Sequence, residues 1–142
     1  MSTATIAAPT RREPELNGQT VVVIGGSAGI GLETARRAHL EGANVILTGR
    51  RAEPLHHAAS ELDALSTAAF DATDSAALEQ FFRNLTMPID HVMVTAGGPY
   101  YARLVDMDFA QARRALEDHL LMTLQVARNA IGKVRPGGTL LT

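Results

Sequence analysis

The chain has 142 residues, 46% of them apolar, and a formal net charge of −2 with acids and bases interspersed. That is one domain's worth of chain, and the charge balance argues against a nucleic-acid or membrane-surface partner as the main business, since those need a concentrated basic face. Cysteine is absent, so disulfides and thiolate metal sites are excluded.

Residues 1–15 are rich in Ala, Thr and Pro and lack the apolar centre of a signal peptide. They read as a flexible lead-in, with a folded unit expected over 16–142 and the cytoplasm as the expected compartment. No apolar run reaches bilayer length. The first strand is expected at Thr20–Ile24, a β-branched run apolar on both faces, as in the centre of a covered parallel sheet. Gly25 to Gly31 interrupts the pattern. A helix is expected over Leu32–Glu41, closed by Gly42.

Asn44–Thr48 repeats the strand pattern. Glu53–Leu62 is a second helix with Pro54 in its first turn. Thr67–Phe70 is a short third strand. Asp74 is placed to cap a helix over Ser75–Asn84, with Leu78, Phe81 and Phe82 on one face. The fourth strand is expected at Ile89–Thr95. The longest helix runs from about Asp108 to Ile131, and Leu116, Leu120, Leu124, Ala127 and Ile131 recur along it at helical spacing. Pro136-Gly137-Gly138 reads as a turn before a fifth strand from Thr139. Strands alternating with helices, joined by connections too long for hairpins, predict an α/β fold. It is a Rossmann-like, doubly wound parallel sheet, truncated after its fifth strand. Such a sheet has an unpaired edge, a liability for solubility.

The most informative stretch is Gly25-Gly26-Ser27-Ala28-Gly29-Ile30-Gly31. It leaves a strand and opens a helix, so backbone amides and the helix dipole converge where an anion gains hydrogen bonds and favourable charge together. Dinucleotide phosphates are held in this way. Glycine serves where a side chain would block the phosphates, and Gly31 lets the helix pack closely on the sheet.

The spacing Gly-x-x-x-Gly-x-Gly resembles that of the short-chain dehydrogenase/reductase family, and the similarity runs from Leu16 to the last residue. In NAD-preferring members an acid ends the second strand and binds the adenosine ribose. Here Gly49 stands at that place and Arg50 follows, and a guanidinium beside the ribose suits a 2′-phosphate. The resemblance therefore implies NADP(H) in preference to NAD, with the Ser27 hydroxyl able to reach the same phosphate; the alternative for Arg50 and Arg51 is a pair of solvated loop charges. It also implies that Asp71, followed by Ala72, accepts a hydrogen bond from the adenine amino group. The alternative for Asp71 is a turn residue before Asp74. Thr95-Ala96-Gly97 is similar to the family's Asn-Ala-Gly beside the cofactor ribose.

Several positions depart from the family pattern. Ile24 replaces a threonine whose hydroxyl braces the glycine loop, and Val94 and Thr95 replace two asparagines. His119 stands at the place of an asparagine that helps to hold a proton-relay water. A histidine can donate, accept and titrate there, or it can be an ordinary helix histidine making one hydrogen bond. The family's catalytic serine and Tyr-x-x-x-Lys are not matched: Tyr100 and Tyr101 have Leu104 and Val105 four residues on, and Lys133 is the only lysine. The adjacent His56 and His57 point in different directions and make a poor metal pair, and His39 and His91 lack ligand-spaced neighbours.

The expectation is a cofactor-binding portion of an NADP(H)-dependent oxidoreductase. The intact parent passes hydride between nicotinamide and a small-molecule carbonyl or alcohol. The chain as written is expected to lack turnover. The alternative is a non-catalytic nucleotide-binding module or partner subunit. A different Rossmann ligand such as S-adenosylmethionine is less favoured, because that class wants an acid where Gly49-Arg50 stands. The family commonly forms homo-oligomers through the long helix, and the Leu116, Leu120, Leu124 face permits this, although sheet packing competes for the same face.

Overall fold

A computed structural model describes residues 15–142. All of the expected lead-in except Glu15 lies outside the described residues. Five parallel strands form one sheet in the order β3-β2-β1-β4-β5. They are β1 (Thr20–Ile24), β2 (Asn44–Gly49), β3 (Ser66–Ala69), β4 (Ile89–Val94) and β5 (Val134–Leu141). Four helices alternate with them: α1 (Gly29–Leu40), α2 (Ala52–Leu62), α3 (Ser75–Asn84) and α4 (Phe109–Ala130). The order bears out the doubly wound parallel sheet.

Every residue of β1 is buried, because both faces of the sheet are covered. Alternation along the strands splits the core in two. Val21, Val23, Val45 and Leu47 pack with Ala35, Ala38, Leu55, Ala58 and Leu62 of α1 and α2. Val22, Ile24, Ile46, Val92 and Val94 pack with Leu78, Phe81 and Phe82 of α3 and Met122, Val126 and Ala130 of α4. The chain steps outward from β1 through β2 to β3, then crosses to β4 on the other side of β1. A crevice opens at such a reversal, above the carboxyl ends of β1 and β4.

Local chemistry explains most boundaries. The Asp74 side chain accepts from the amides of Ala76 and Ala77, and Asp108 does the same for Ala110 and Gln111. Gly42, at φ +86°, turns the chain out of α1. Helix α1 begins at Gly29, three residues before the expected Leu32, so Gly29 to Gly31 form its first turn. A short 3-10 turn at Leu104–Asp106 carried no sequence signal.

Two expectations require correction. Pro136-Gly137-Gly138 is not a turn before the strand but an irregularity within β5: Ile89 pairs with Val134, whereas His91 pairs with Thr139. The extra residues bulge around Asp90, which accepts from the Thr20 amide at 2.8 Å and from Arg135 at 3.3 Å. Gly137 has φ +86°, and a Cβ on Gly138 would lie 2.1 Å from the Asp90 carbonyl oxygen, so a side chain there has no room. The second correction concerns α4. Its sheet-facing residues are Met122, Val126 and Ala130, while Leu116, Leu120, Leu124 and Ile131 are 57–80% exposed. Residues 120 and 122 are about 200° apart around a helix, so α4 carries two apolar faces and the sheet takes the smaller-residue one. Among the described residues, no helix is long and apolar enough to cross a membrane.

Candidate functional site

The crevice is built from the strand ends inward. After β1 the amides of Gly25 and Gly26 both donate to the Thr48 carbonyl, at 3.2 and 2.8 Å, which pins the loop to the end of β2. Gly25 has φ +99°, and a Cβ on it would lie 2.6 Å from the Ala96 amide nitrogen. A Cβ on Gly31 would lie 2.1 Å from the Gly25 carbonyl oxygen and 2.4 Å from the Thr95 hydroxyl. Both glycines are therefore packing requirements between the loop, α1 and β4. Gly29, at φ +57°, has open space where a Cβ would stand.

The amides of Gly29, Ile30 and Gly31 have no acceptor among the described residues. Ala28, the residue before α1, offers no side-chain cap, in contrast to Asp74 and Asp108. Three donors without a protein acceptor thus stand together at a positive helix end, which is the arrangement an anion fills.

The other strand ends complete the enclosure. A cavity of about 630 Å³ is lined by Gly25, Ser27, Arg50, Asp71, Ala72, Thr95, Ala96, Gly97 and His119, together with residues not picked out in the sequence. Gly29, Ile30 and Gly31 line an adjoining groove that shares Ala28 and Thr95 with it. The structure therefore divides the sequence-expected residues between two hollows that share Ala28 and Thr95. The cavity's volume falls in the usual range for small-molecule sites.

Gly49 is buried, and a Cβ on it would stand 2.9 Å from the Ser27 hydroxyl oxygen. Ser27 occupies the space that an acidic side chain at the end of β2 would need. Arg50, exposed on the rim, sits near enough to Asp71 to help lower that carboxyl's pKa. The larger causes of that lowering are hydrogen bonds from the amide and hydroxyl of Thr73, opposed by burial. Both bonds end on one carboxylate oxygen, at 3.0 and 2.8 Å. Asp71 is thus a turn residue through one oxygen and lines the cavity as well.

On the far side, α4 places Gln111, Arg114, Ala115, Asp118, His119 and Met122 along the cavity. Apart from His119, these drew no attention in the sequence. The signal available was their recurrence at helical spacing, which a search for apolar faces passes over. Tyr100 also lines the cavity, and its hydroxyl accepts from the Asp108 amide at 2.9 Å, tying the loop before α4 to that helix's first turn. His119 is exposed, with its Nδ1 3.6 Å from where a Gly97 Cβ would be, and makes no hydrogen bond among the described residues. His91 instead bridges Gln19 and Thr139 at 2.6 and 2.8 Å, away from the crevice. No group of three or more His, Cys, Asp or Glu side chains among the described residues could hold a metal ion.

The family model for short chain dehydrogenases matches residues 19–138. The chain belongs to the short-chain dehydrogenase family. It is 32% identical over 111 residues to a 2-keto-3-deoxy-L-fuconate dehydrogenase from Xanthomonas campestris, covering 78% of this chain and 37% of that protein. Serine 3-dehydrogenase from Agrobacterium fabrum is 40% identical over 86 residues, covering 55% of this chain and 34% of the relative. Among solved structures, BdcA in complex with NADPH superposes with a TM-score of 0.76 at 25% identity, covering 88% of this chain and 51% of that one. This short-chain dehydrogenase chain thus spans about a third of the length of those curated relatives and half of that structure.

Family membership makes the chain part of an oxidoreductase family that uses nicotinamide cofactors. A hydroxyl braces the glycine loop from the neighbouring strand end: Thr95 donates to the Gly25 carbonyl at 3.1 Å and lies 3.3 Å from that of Ile24.

Proposed function

We propose that the chain is the nucleotide-binding portion of an NADP(H)-dependent short-chain dehydrogenase, whose whole protein transfers hydride to or from a small-molecule carbonyl or alcohol. The free amides of Gly29, Ile30 and Gly31 would hold the pyrophosphate. Ala96 and Gly97 would lie against the ribose, and Asp71 and Ala72 beside the adenine. When bound, the cofactor supplies the hydride chemistry; the residues described here bind and orient it.

The observation that carries the choice of NADP(H) is at the end of β2. Ser27 fills the space beside Gly49 that a ribose-binding acid would occupy, and Arg50, the next residue along the chain, lines the same cavity. A guanidinium and a hydroxyl together suit a phosphate, and neither gives a bare 2′-hydroxyl the charged acceptor that a carboxylate supplies. His119, beside Gly97, is proposed as the surrogate relay residue.

Homo-oligomerisation through the exposed leucine face of α4 and a cytoplasmic setting belong to the same proposal. The test is a titration of NADPH and NADH fluorescence with the wild-type chain and Arg50→Glu. Wild type is expected to prefer NADPH by at least about tenfold, and Arg50→Glu to abolish that preference. Equal affinity of the wild type for both nucleotides would refute the choice.

A further inference from the structure

The cavity's walls come from different parts of the fold and carry matching sets of charges. Arg50 and Asp71 stand at the ends of β2 and β3; across from them α4 presents Arg114 and Asp118, one turn apart. Arg114 acts through space on Asp108, but neither Arg114 nor Asp118 makes a hydrogen bond or ion pair among the described residues. Elsewhere, acid–base neighbours at the same spacing do close on each other: Glu33 with Arg37 at 2.8 Å, and Glu79 with Arg83. The α4 pair thus keeps a free acceptor and a free donor side by side on the cavity wall.

Resting on the nucleotide reading above, we propose that α4 recognises the base: Asp118 accepts a hydrogen from the adenine 6-amino group, and Arg114 donates to ring nitrogen N1. The amino group has two hydrogens and needs two acceptors. One oxygen of Asp71 is already taken by the amide and hydroxyl of Thr73, which leaves its other oxygen for one of those hydrogens. Asp118 takes the second. The adjacent N1 is an acceptor, and the guanidinium one turn away is a donor, so the protein edge is the complement of the adenine edge. Hypoxanthine presents the reverse pattern, a carbonyl oxygen beside an N1–H, and would set acceptor against acceptor and donor against donor.

The test compares the full chain's binding of NADPH and of its hypoxanthine analogue, reduced nicotinamide hypoxanthine dinucleotide phosphate, by titration of nicotinamide fluorescence. Wild type is expected to favour the adenine nucleotide by about tenfold or more. Asp118→Ala and Arg114→Ala are each expected to reduce that ratio about threefold or more, leaving the preference due to Asp71. Asp118→Asn, which keeps the side chain's size and can turn its amide to donate, is expected to reduce it as well. Thermal melts of these exposed variants check folding. If NADPH binds but wild type shows no preference between the bases, or if all three variants keep the wild-type ratio within about twofold, the inference falls and the nucleotide reading stands. If wild type binds neither nucleotide, both fall.

Discussion

Replacing Gly31 by alanine probes the contact that sets the height of α1 above the sheet. The new Cβ would stand 2.1 Å from the Gly25 carbonyl oxygen and 2.4 Å from the Thr95 hydroxyl, and the first of these is backbone that cannot swing aside. Restoring an ordinary contact of about 3.2 Å requires α1 and the loop to separate by roughly 1 Å. Overpacking of this kind costs about 1–3 kcal/mol or more. Alanine's better helix propensity returns up to about 1 kcal/mol, though less in a first turn than in a helix interior. The net expectation is a loss of about 2 kcal/mol, or a fall in Tm of about 8 °C for a domain of this size. The same displacement moves the three free amides out of register with a bound pyrophosphate, so NADPH affinity should fall by a factor of about ten or more. Urea denaturation and NADPH titration of the same preparation measure the two effects. An alanine variant with the wild-type urea midpoint and wild-type affinity would refute the close-packing argument for this position.

The two faces of α4 predict opposite responses. Leu120→Lys, on the exposed face, should change monomer stability by less than about 0.5 kcal/mol and should dissociate any α4-mediated oligomer in sedimentation. Met122→Ala, fully buried against the sheet, should cost about 2–4 kcal/mol in a urea melt. Asp74→Ala removes both bonds to the Ala76 and Ala77 amides and should lower stability by about 1 kcal/mol, read by thermal denaturation. Asp71 has a folded pKa below its ordinary 3.8. Its contribution is therefore fully present above that value and disappears as pH falls through the lower folded one. Asp71→Asn should accordingly flatten the rise of the urea midpoint as pH increases from the lowered folded value towards the ordinary 3.8.

Strand chemistry was readable wherever one local signal sufficed. Thr20–Ile24 is β-branched and apolar on both faces because helices cover both, and Asp74 precedes a helical pattern that it caps. The outline of the crevice was readable for the same reason, since glycines, Arg50 and Asp71 all fall just after strand runs. Periodicity could not choose between the two apolar faces of α4, because Leu116-Leu120-Leu124 and Met122-Val126-Ala130 repeat equally well. Only the spacing between helix and sheet selects the second set. Pro136-Gly137-Gly138 has the composition of a turn, and it is held as a bulge only because Asp90 occupies the space beside it. The bond from Thr95 to Gly25 joins residues 70 apart in sequence and depends on parallel strand register, which no local pattern reports.

The bond between Thr95 and Gly25, taken with the two amides held by Thr48, stitches the start of the glycine loop across three neighbouring strands. Hydrogen exchange should reveal a sharp boundary there. The Gly25 and Gly26 amides should open only when the sheet itself does, while those of the exposed Gly29 and Ile30 exchange freely until an anion covers them. A ligand arriving at such a mouth meets a rim already fixed in place, so little ordering entropy is lost on capture.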